Sequence, residues 1–225
     1  MERSFNVYDR LVTLPLFQGM GSEELDKVLT HTKFGFHKHT DEEVIVAEGD
    51  PCDTLRILIR GNVACSTASI DHGYVFVEKI GSPYIMQPER LFGLSQRYSR
   101  TFTASGEVSL MTLEKTEVTR LIEKSMVFRI NFLNILSTLT QRAARHQWQN
   151  LPADLRQRMV RFFEAHCLIP AGEKTIKIKM TRLADELNVK RLSVSKELHM
   201  MSDEKMLNLH RGRIIIPALE KLIME

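Results

Sequence analysis

The sequence contains little cysteine. Cys52, Cys65 and Cys167 are the only three among 225 residues. Three scattered thiols cannot build the disulfide framework of a small secreted domain or the thiolate cluster of a zinc or iron–sulfur site. Because stable disulfides belong to oxidising compartments, we expect a protein of the reducing cytoplasm without a metal ion or an iron–sulfur cluster.

Long apolar runs are also missing. No run approaches the roughly 18 residues that a membrane span requires, and residues 1–6 lack the apolar segment of a secretory signal. Motifs of common enzyme classes are missing as well, since there is no GxSxG, P-loop or HExxH sequence and no Cys/His nucleophile arrangement. We therefore expect neither a membrane protein nor an enzyme, and no catalytic residue is assigned.

The charge is distributed unevenly along an otherwise ordinary globular composition of 43% hydrophobic and 26% charged residues. Residues 1–150 hold 17 Lys and Arg against 18 Asp and Glu, whereas residues 151–225 hold 14 against 10. The basic excess in the last third favours a polyanionic partner there, although a solvated basic face gives the same excess.

Short runs rich in β-branched residues follow one another between about residues 33 and 113. Turn signals separate them at 48–51, 61–62 and 71–73. Such runs predict an antiparallel sandwich or roll. A helical pattern over residues 9–31 precedes them, so residues 1–124 are expected to form one α+β domain, a cupin-like β-roll with flanking helices.

A helical period returns after this region. Apolar residues at 4-3-4 spacing mark one face of a helix predicted over 125–148, namely Phe128, Phe132, Ile135 and Leu139. The spacing suits a partner helix and equally suits an ordinary core helix. We favour a dimerisation helix, since a length of roughly 36 Å exceeds what the roll needs for cover. Pro152 disfavours helix at the preceding residue, so a hinge is predicted at 150–152.

The strongest functional signal lies between residues 176 and 216. A short helix with Leu183, Ala184 and Leu187 inward is followed by a turn at Asn188, which tolerates a left-handed backbone. A second helix then runs over 191–201, with Val194 and Leu198 inward. This order predicts a helix-turn-helix.

A hairpin predicted over 207–216 adds a wing whose basic tip suits phosphate contacts. Residues 149–225 are therefore expected to form a winged helix-turn-helix domain that binds double-stranded DNA. The residues that we expect to contact DNA are Thr181, Lys190, Arg191, Leu192, Ser193, Lys196, Arg211 and Arg213.

The chain resembles the CRP/FNR transcription regulators over almost its whole length. The segment 48–55 followed by 61–64 is similar to the family's β-roll, with Gly49 and Gly61 twelve residues apart around a Leu/Ile strand. The order of roll, long helix, hinge and winged helix-turn-helix is also similar. The resemblance implies a bacterial, cytoplasmic homodimer, with RNA polymerase and a small effector as further candidate partners.

The same resemblance suggests where an effector would bind. Cyclic-nucleotide-binding members hold the ribose and the cyclic phosphate with Gly-Glu followed by Arg-Ser or Arg-Thr. The candidate pocket residues are Glu89, Arg90, Ser99, Arg100 and Thr101. Because Pro88 replaces the glycine and Tyr98 the arginine, we expect poor binding of cyclic AMP. Another small effector and a ligand-free roll both remain open, the cofactor is left unassigned, and haem is not expected beside histidines in polar surroundings.

One alternative belongs to another class of protein. A cyclic-nucleotide-binding module whose C-terminal domain mediates protein–protein contacts would have a similar N-terminal half. It would leave Arg191, Ser193, Lys196 and Arg213 without a role, so we favour a DNA-binding regulator.

Overall fold

A computed structural model describes Tyr8 and residues 10–145 and 152–224. The described residues form two compact units. The first contains the described residues up to Val63, then Ile80–Ser99 and the described part of Thr103–Gln147. The second contains Ala64–Lys79, Arg100–Phe102 and the described residues from 152 onward. The predicted domain limits at 124 and 148 remain predictions. Of the hinge predicted at 150–152, only Pro152 lies within the described residues.

The first unit combines an antiparallel roll with helices. Its helices are α1 (Ser22–His31), α2 (Lys115–Lys124) and α3 (Met126–Arg145). Its strands are β1 (Gly35–His39), β2 (Val44–Val46), the first part of β3 (Thr54–Ala68), the end of β4 (Tyr74–Gly81), β5 (Tyr84–Met86) and most of β6 (Thr101–Glu114). A short 3-10 helix occupies Pro88–Arg90. Both β1 and β2 pair with β6, and β5 pairs with β3. The predicted α+β roll is confirmed.

The turn predicted at 61–62 is wrong, because β3 continues through these residues as one strand. Gly61 has a φ of +93°, a backbone region in which a side chain is strained. A Cβ at this position would also collide with the carbonyl oxygen of Glu107. The glycine therefore marks a close approach between strands.

The core of the first unit is apolar and contains side chains from its three helices and from strands β3, β5 and β6. Helix α3 contributes the fully buried Phe128, whose ring centroid lies 5.5 Å from that of Phe17. The helix begins where it does because Ser125 acts as its N-cap, accepting a hydrogen bond from the Phe128 amide at 3.1 Å. Ser125 also donates to Glu24 of α1 at 2.5 Å. One face of α3 is thereby fixed against its own unit.

The described part of the second unit contains four helices and an antiparallel sheet. The helices are α4 (Leu155–Ala165), α5 (Met180–Glu186), α6 (Arg191–Asp203) and α7 (Leu219–Met224). The strands β7 (Lys174–Ile178), β8 (Asn208–His210) and β9 (Arg213–Ile216) join a hairpin formed by the end of β3 and the start of β4. The sheet order is β3-β4-β7-β9-β8. Among the described residues, no helix is long and apolar enough to cross a bilayer.

Candidate nucleic-acid interface

Helices α5 and α6 pack together as the sequence predicts. Leu183 and Ala184 of α5 and Val194 and Leu198 of α6 are all buried in one apolar cluster. Between the helices, Asn188 has a φ of +51°, so the left-handed corner predicted for it is confirmed. The inner faces fix the angle between the helices and leave the opposite face of α6 to solvent.

The outer face of α6 is exposed at its N-terminal end. The side chains of Arg191, Leu192, Ser193 and Lys196 are all exposed, and Leu192 reaches 76% of its full accessibility. Lys190 precedes the helix as its N-cap residue and is also exposed. Leu192 is thus an exposed apolar side chain next to Arg191, and such a side chain can pack against the methyl group of a thymine.

The wing lies in the same sheet as the strand that leads into α5. Strands β8 and β9 pair with His210 opposite Arg213, and β9 pairs with β7 with Lys177 opposite Arg213. At the tip, Gly212 has a φ of +70°, and its carbonyl accepts a hydrogen bond from the Ile178 amide at 3.1 Å. The exposed Arg211 and Arg213 therefore lie at the sheet end from which the chain enters α5.

A residue that the sequence reasoning missed holds α6 against α4. Arg156 of α4 donates to Glu197 of α6 at 2.7 Å and holds both carboxylate oxygens of Glu204 at 2.7 and 3.0 Å. Such bidentate pairing constrains orientation as well as distance. Arg156 lies 41 residues from Glu197 in the chain, so no local pattern announces this contact.

Arg182 is a second residue that the sequence reasoning missed, although it follows the predicted contact residue Thr181. Thr181 itself is exposed at the start of α5. The Arg182 guanidinium lies 2.7 Å from the Glu186 carboxylate and 2.9 Å from the Asp71 carboxylate. A cation at the start of the first helix of a helix-turn-helix was the available signal, since this helix crosses the DNA backbone.

The candidate effector residues are divided between the units. Glu89, Arg90 and Ser99 belong to the first unit, and Arg100 and Thr101 to the second. Gln87 is buried and binds Ser99 twice, accepting from its amide at 3.0 Å and donating to its hydroxyl at 2.7 Å. The Ser99 amide hydrogen that a phosphate would accept is therefore already bonded to Gln87, whereas the Ser99 hydroxyl only accepts in this pair.

Tyr98, which the sequence resemblance aligns with the arginine of the cyclic-nucleotide-binding pattern, is buried. Its hydroxyl accepts from Arg56 at 2.9 Å and donates to the carbonyl of Thr54 at 3.2 Å. Burial raises the pKa of this phenol above its usual range. Further along the chain, the Arg100 side chain donates to Thr67 at 2.9 Å. The Tyr98 side chain is therefore neutral at neutral pH, and its hydroxyl is bonded within the protein.

Within the described part of the chain, no three His, Cys, Asp or Glu side chains form a group that could hold a metal ion. Burial raises the pKa of the Cys65 and Cys167 thiols to about 12. Both thiols are therefore protonated at neutral pH.

The predicted dimer residues line the inner side of α3. Phe128 and Phe132 are buried in the core of their own unit, and Ile135 packs against that core. Leu139 is half-buried. The opposite side of α3 carries exposed apolar residues, of which Met126 is 61%, Ile130 45% and Leu133 50% accessible. Phe128 and Phe132 therefore pack in the core of their own protomer, and their side chains are not exposed to a partner helix.

Comparison with known proteins identifies the fold. No family model and no curated relative matches the sequence. The sensor domain of the transcriptional regulator DNR from Pseudomonas aeruginosa superposes with a TM-score of 0.54 at 16% identity, covering 68% of this chain and 99% of that one. The matched part of the chain has the fold of that sensor domain. The predicted resemblance is thereby confirmed at the level of fold.

Two further solved structures align over more of the chain with lower scores. The catabolite activator protein of Thermus thermophilus has a TM-score of 0.48 at 19% identity and covers 94% of this chain and 97% of its own. The c-di-GMP-responsive regulator CLP of Xanthomonas campestris has a TM-score of 0.48 at 16% identity, covering 88% and 99%.

Proposed function

We propose that this protein is a sequence-specific DNA-binding transcription regulator of the CRP/FNR type that acts in the cytoplasm as a homodimer. The observation that carries the proposal is that one unit presents both an exposed cationic face on α6 and exposed arginines at the wing tip. A helix-turn-helix places its second helix in the major groove. An enzymatic role has no comparable support, and RNA polymerase is proposed as a further partner.

Sequence reading is assigned to the first turn of α6. Arg191 begins the helix, and arginine reads guanine through two parallel hydrogen bonds. Leu192 replaces the acid with which cyclic-AMP-responsive members of the family contact bases, and it offers an apolar contact instead. Ser193 and Lys196 lie on the same face and are proposed to contact bases or phosphates. The operator should therefore differ from the operators of those members.

We infer that the dimer forms through the exposed stripe of α3. Met126, Ile130 and Leu133 recur at helical spacing, and Phe128 and Phe132 on the other face complete the protomer's own core. A second copy of the chain is the proposed occupant, because an inverted-repeat operator requires two recognition helices related by a two-fold axis.

Substitution of single arginines separates base reading from phosphate binding. Arg191→Ala should cost about 1–3 kcal/mol on the preferred operator and relax preference at one base pair in each half-site. Arg213→Ala should instead weaken binding to all sequences and reduce the salt slope by roughly one unit for each phosphate that the protein no longer neutralises. Fluorescence anisotropy with a selected operator and a random duplex, at several salt concentrations, measures both effects.

The comparison of the two DNAs contains its own control. Lys221 is an exposed cation on α7 that lines a pocket with Glu204 and Lys205, beyond the end of α6 opposite Arg191, so Lys221→Ala should leave both affinities nearly unchanged. Equal losses on operator and random DNA for Arg191→Ala would remove base reading from this residue. Binding to neither DNA by the unsubstituted protein would favour the alternative, a module whose C-terminal domain contacts proteins.

Cyclic AMP should bind poorly, and a different small effector or none is proposed for the roll. Each charge-assisted hydrogen bond that a phosphate clamp lacks removes about 1.5–3 kcal/mol. Tyr98 supplies no cation, and the Ser99 amide hydrogen is already bonded to Gln87. Isothermal titration calorimetry should show no micromolar binding. A micromolar dissociation constant would contradict this assignment and transfer the phosphate to Arg90 or Arg100.

A further inference from the structure

A hairpin made by the end of β3 and the start of β4 adds a strand to the sheet of the proposed DNA-binding unit. Strand β4 pairs antiparallel with β7 over five residues, from Tyr74 opposite Ile178 to Glu78 opposite Lys174. The hairpin is therefore held by main-chain hydrogen bonds along its length, as in β-augmentation.

Two side-chain contacts fix the hairpin in register. The Glu78 carboxylate lies 3.0 Å from the Lys174 ammonium, and both side chains are fully buried. Nearer the tip, the Tyr74 hydroxyl lies 3.0 Å from Nε2 of His166. A buried pair of opposite charges tolerates little slippage, because displacement would leave each charge uncompensated. The tip is consequently held in a defined position.

The strand register places the tip of the hairpin at the end of the sheet that is proposed to face DNA. Tyr74, which follows the tip, lies opposite Ile178 at the end of β7. The same end of β7 contacts the wing, since the Ile178 amide donates to the Gly212 carbonyl at 3.1 Å. Helix α5 starts two residues after Ile178. One end of the sheet therefore carries the hairpin tip, which contains Asp71, together with the basic wing tip and the start of α5.

Asp71 lies at this tip and faces a cation of α5. Its carboxylate lies 2.9 Å from the Arg182 guanidinium and accepts hydrogen bonds from the Ser69 hydroxyl at 2.8 Å and the Gly73 amide at 3.1 Å. Those two hydrogen bonds, and secondarily Arg182, lower the pKa of the Asp71 carboxyl, which is thus ionised at neutral pH. Nε of Arg182 is buried without a hydrogen-bond partner among the described residues.

We propose that the Asp71 carboxylate is an intramolecular competitor of DNA, which occupies Arg182 and is displaced when a backbone phosphate approaches the start of α5. The inference rests on the proposed function. The first helix of a helix-turn-helix crosses the DNA backbone, so a cation at its start is placed for phosphate contact. A carboxylate fixed at the same end of the sheet neutralises that cation and also repels the phosphate.

The test uses the full-length protein, a labelled random-sequence duplex and a double-mutant cycle. Asp71→Asn should tighten binding at low salt by about two- to fivefold, the range expected for one exposed ion pair. Asp71→Ser, which also removes the amide oxygen that could still accept from Arg182, should give at least the same gain. Arg182→Gln should weaken binding, and Asp71→Asn should give a clearly smaller gain in that background, because only the repulsion between Asp71 and the phosphate is then removed.

Glu173→Gln is the matched control. Glu173 is exposed and precedes β7, so it lies at the sheet end away from the wing, and its loss changes the net charge by the same amount. It should shift binding much less than Asp71→Asn, since exposed charges beyond about 10 Å are screened at 0.1 M salt. Thermal unfolding followed by circular dichroism verifies that each variant is folded.

The outcomes separate this inference from the proposed function. A gain that appears in both Asp71 variants and depends on Arg182 supports the competition. Unchanged or weaker binding by both folded Asp71 variants, or an undiminished gain in the Arg182→Gln background, overturns it while DNA binding by the unsubstituted protein stands. Failure of every variant and of the unsubstituted protein to bind either the random duplex or a selected operator overturns both.

Discussion

Glu78→Gln should lower the free energy of unfolding of the second unit by about 3–5 kcal/mol, the cost of leaving one buried charge without its partner. Lys174 is 1% and Glu78 0% accessible. Lys174 also donates to the carbonyl of Ala171 at 2.8 Å, which cannot compensate a full charge. Glu78 accepts from the amides of Leu168 and Ile169 at 2.7 and 3.2 Å. Urea denaturation followed by circular dichroism measures the loss.

A double substitution provides the internal control for this prediction. Glu78→Gln with Lys174→Met removes both charges, so it should recover most of the stability that either single substitution loses. Glu173→Gln removes an exposed carboxylate next to Lys174 and should change stability by less than about 0.5 kcal/mol. If Glu78→Gln proves as mild as Glu173→Gln, the buried pair does not hold the hairpin.

Ile130→Glu combined with Leu133→Glu should convert the proposed dimer to a monomer and weaken operator binding by about 10²–10⁴-fold, the avidity that disappears when two linked sites become independent. Both side chains are about half exposed and therefore contribute little to the protomer's own core. Charging them should break the partner interface and leave the fold intact. Sedimentation equilibrium gives the mass, and anisotropy with the inverted repeat gives the affinity.

Position on the helix decides which control is informative. Thr138 is exposed on α3 and lies about a third of a turn from the centre of the stripe at 100° per residue, so Thr138→Glu should remain dimeric. Phe132→Glu is unsuitable, because Phe132 is 3% accessible in the protomer's own core and a charge there would unfold the first unit. A dimeric mass for the double variant would exclude this stripe as the interface.

The sequence predicted the local features of the candidate interface well. The period of Leu183, Val194 and Leu198 identified the inner faces of α5 and α6, and Asn188 identified the corner between them. These signals depend on residues within one or two helical turns, so a single sequence contains them. The order of basic helix and basic hairpin followed from the same kind of local pattern.

Local sequence patterns could not predict which residues far apart in the chain are in contact. The pairing of Tyr74 with Ile178 joins residues about a hundred positions apart, and neither strand carries a signal that names its partner. The 4-3-4 spacing of α3 marked an apolar face correctly, yet spacing alone does not distinguish the protomer's own core from a partner helix. Gly61 looked like a turn because glycine is equally suited to turns and to close strand contacts.

The shared sheet of the second unit also determines what a fragment of this chain would be. Strand β7 lies between β4 and β9, and only β9 belongs to the C-terminal segment. A fragment cut near residue 152 would lose β4, so the amide and carbonyl groups of β7 that β4 had paired would become an open edge. Such an edge recruits strands from neighbouring molecules, and the Lys174 ammonium beside it would lack its carboxylate. A fragment that contains only the helix-turn-helix and the wing should therefore aggregate. The hairpin of residues 64–79 covers this edge of β7 and should keep the segment soluble.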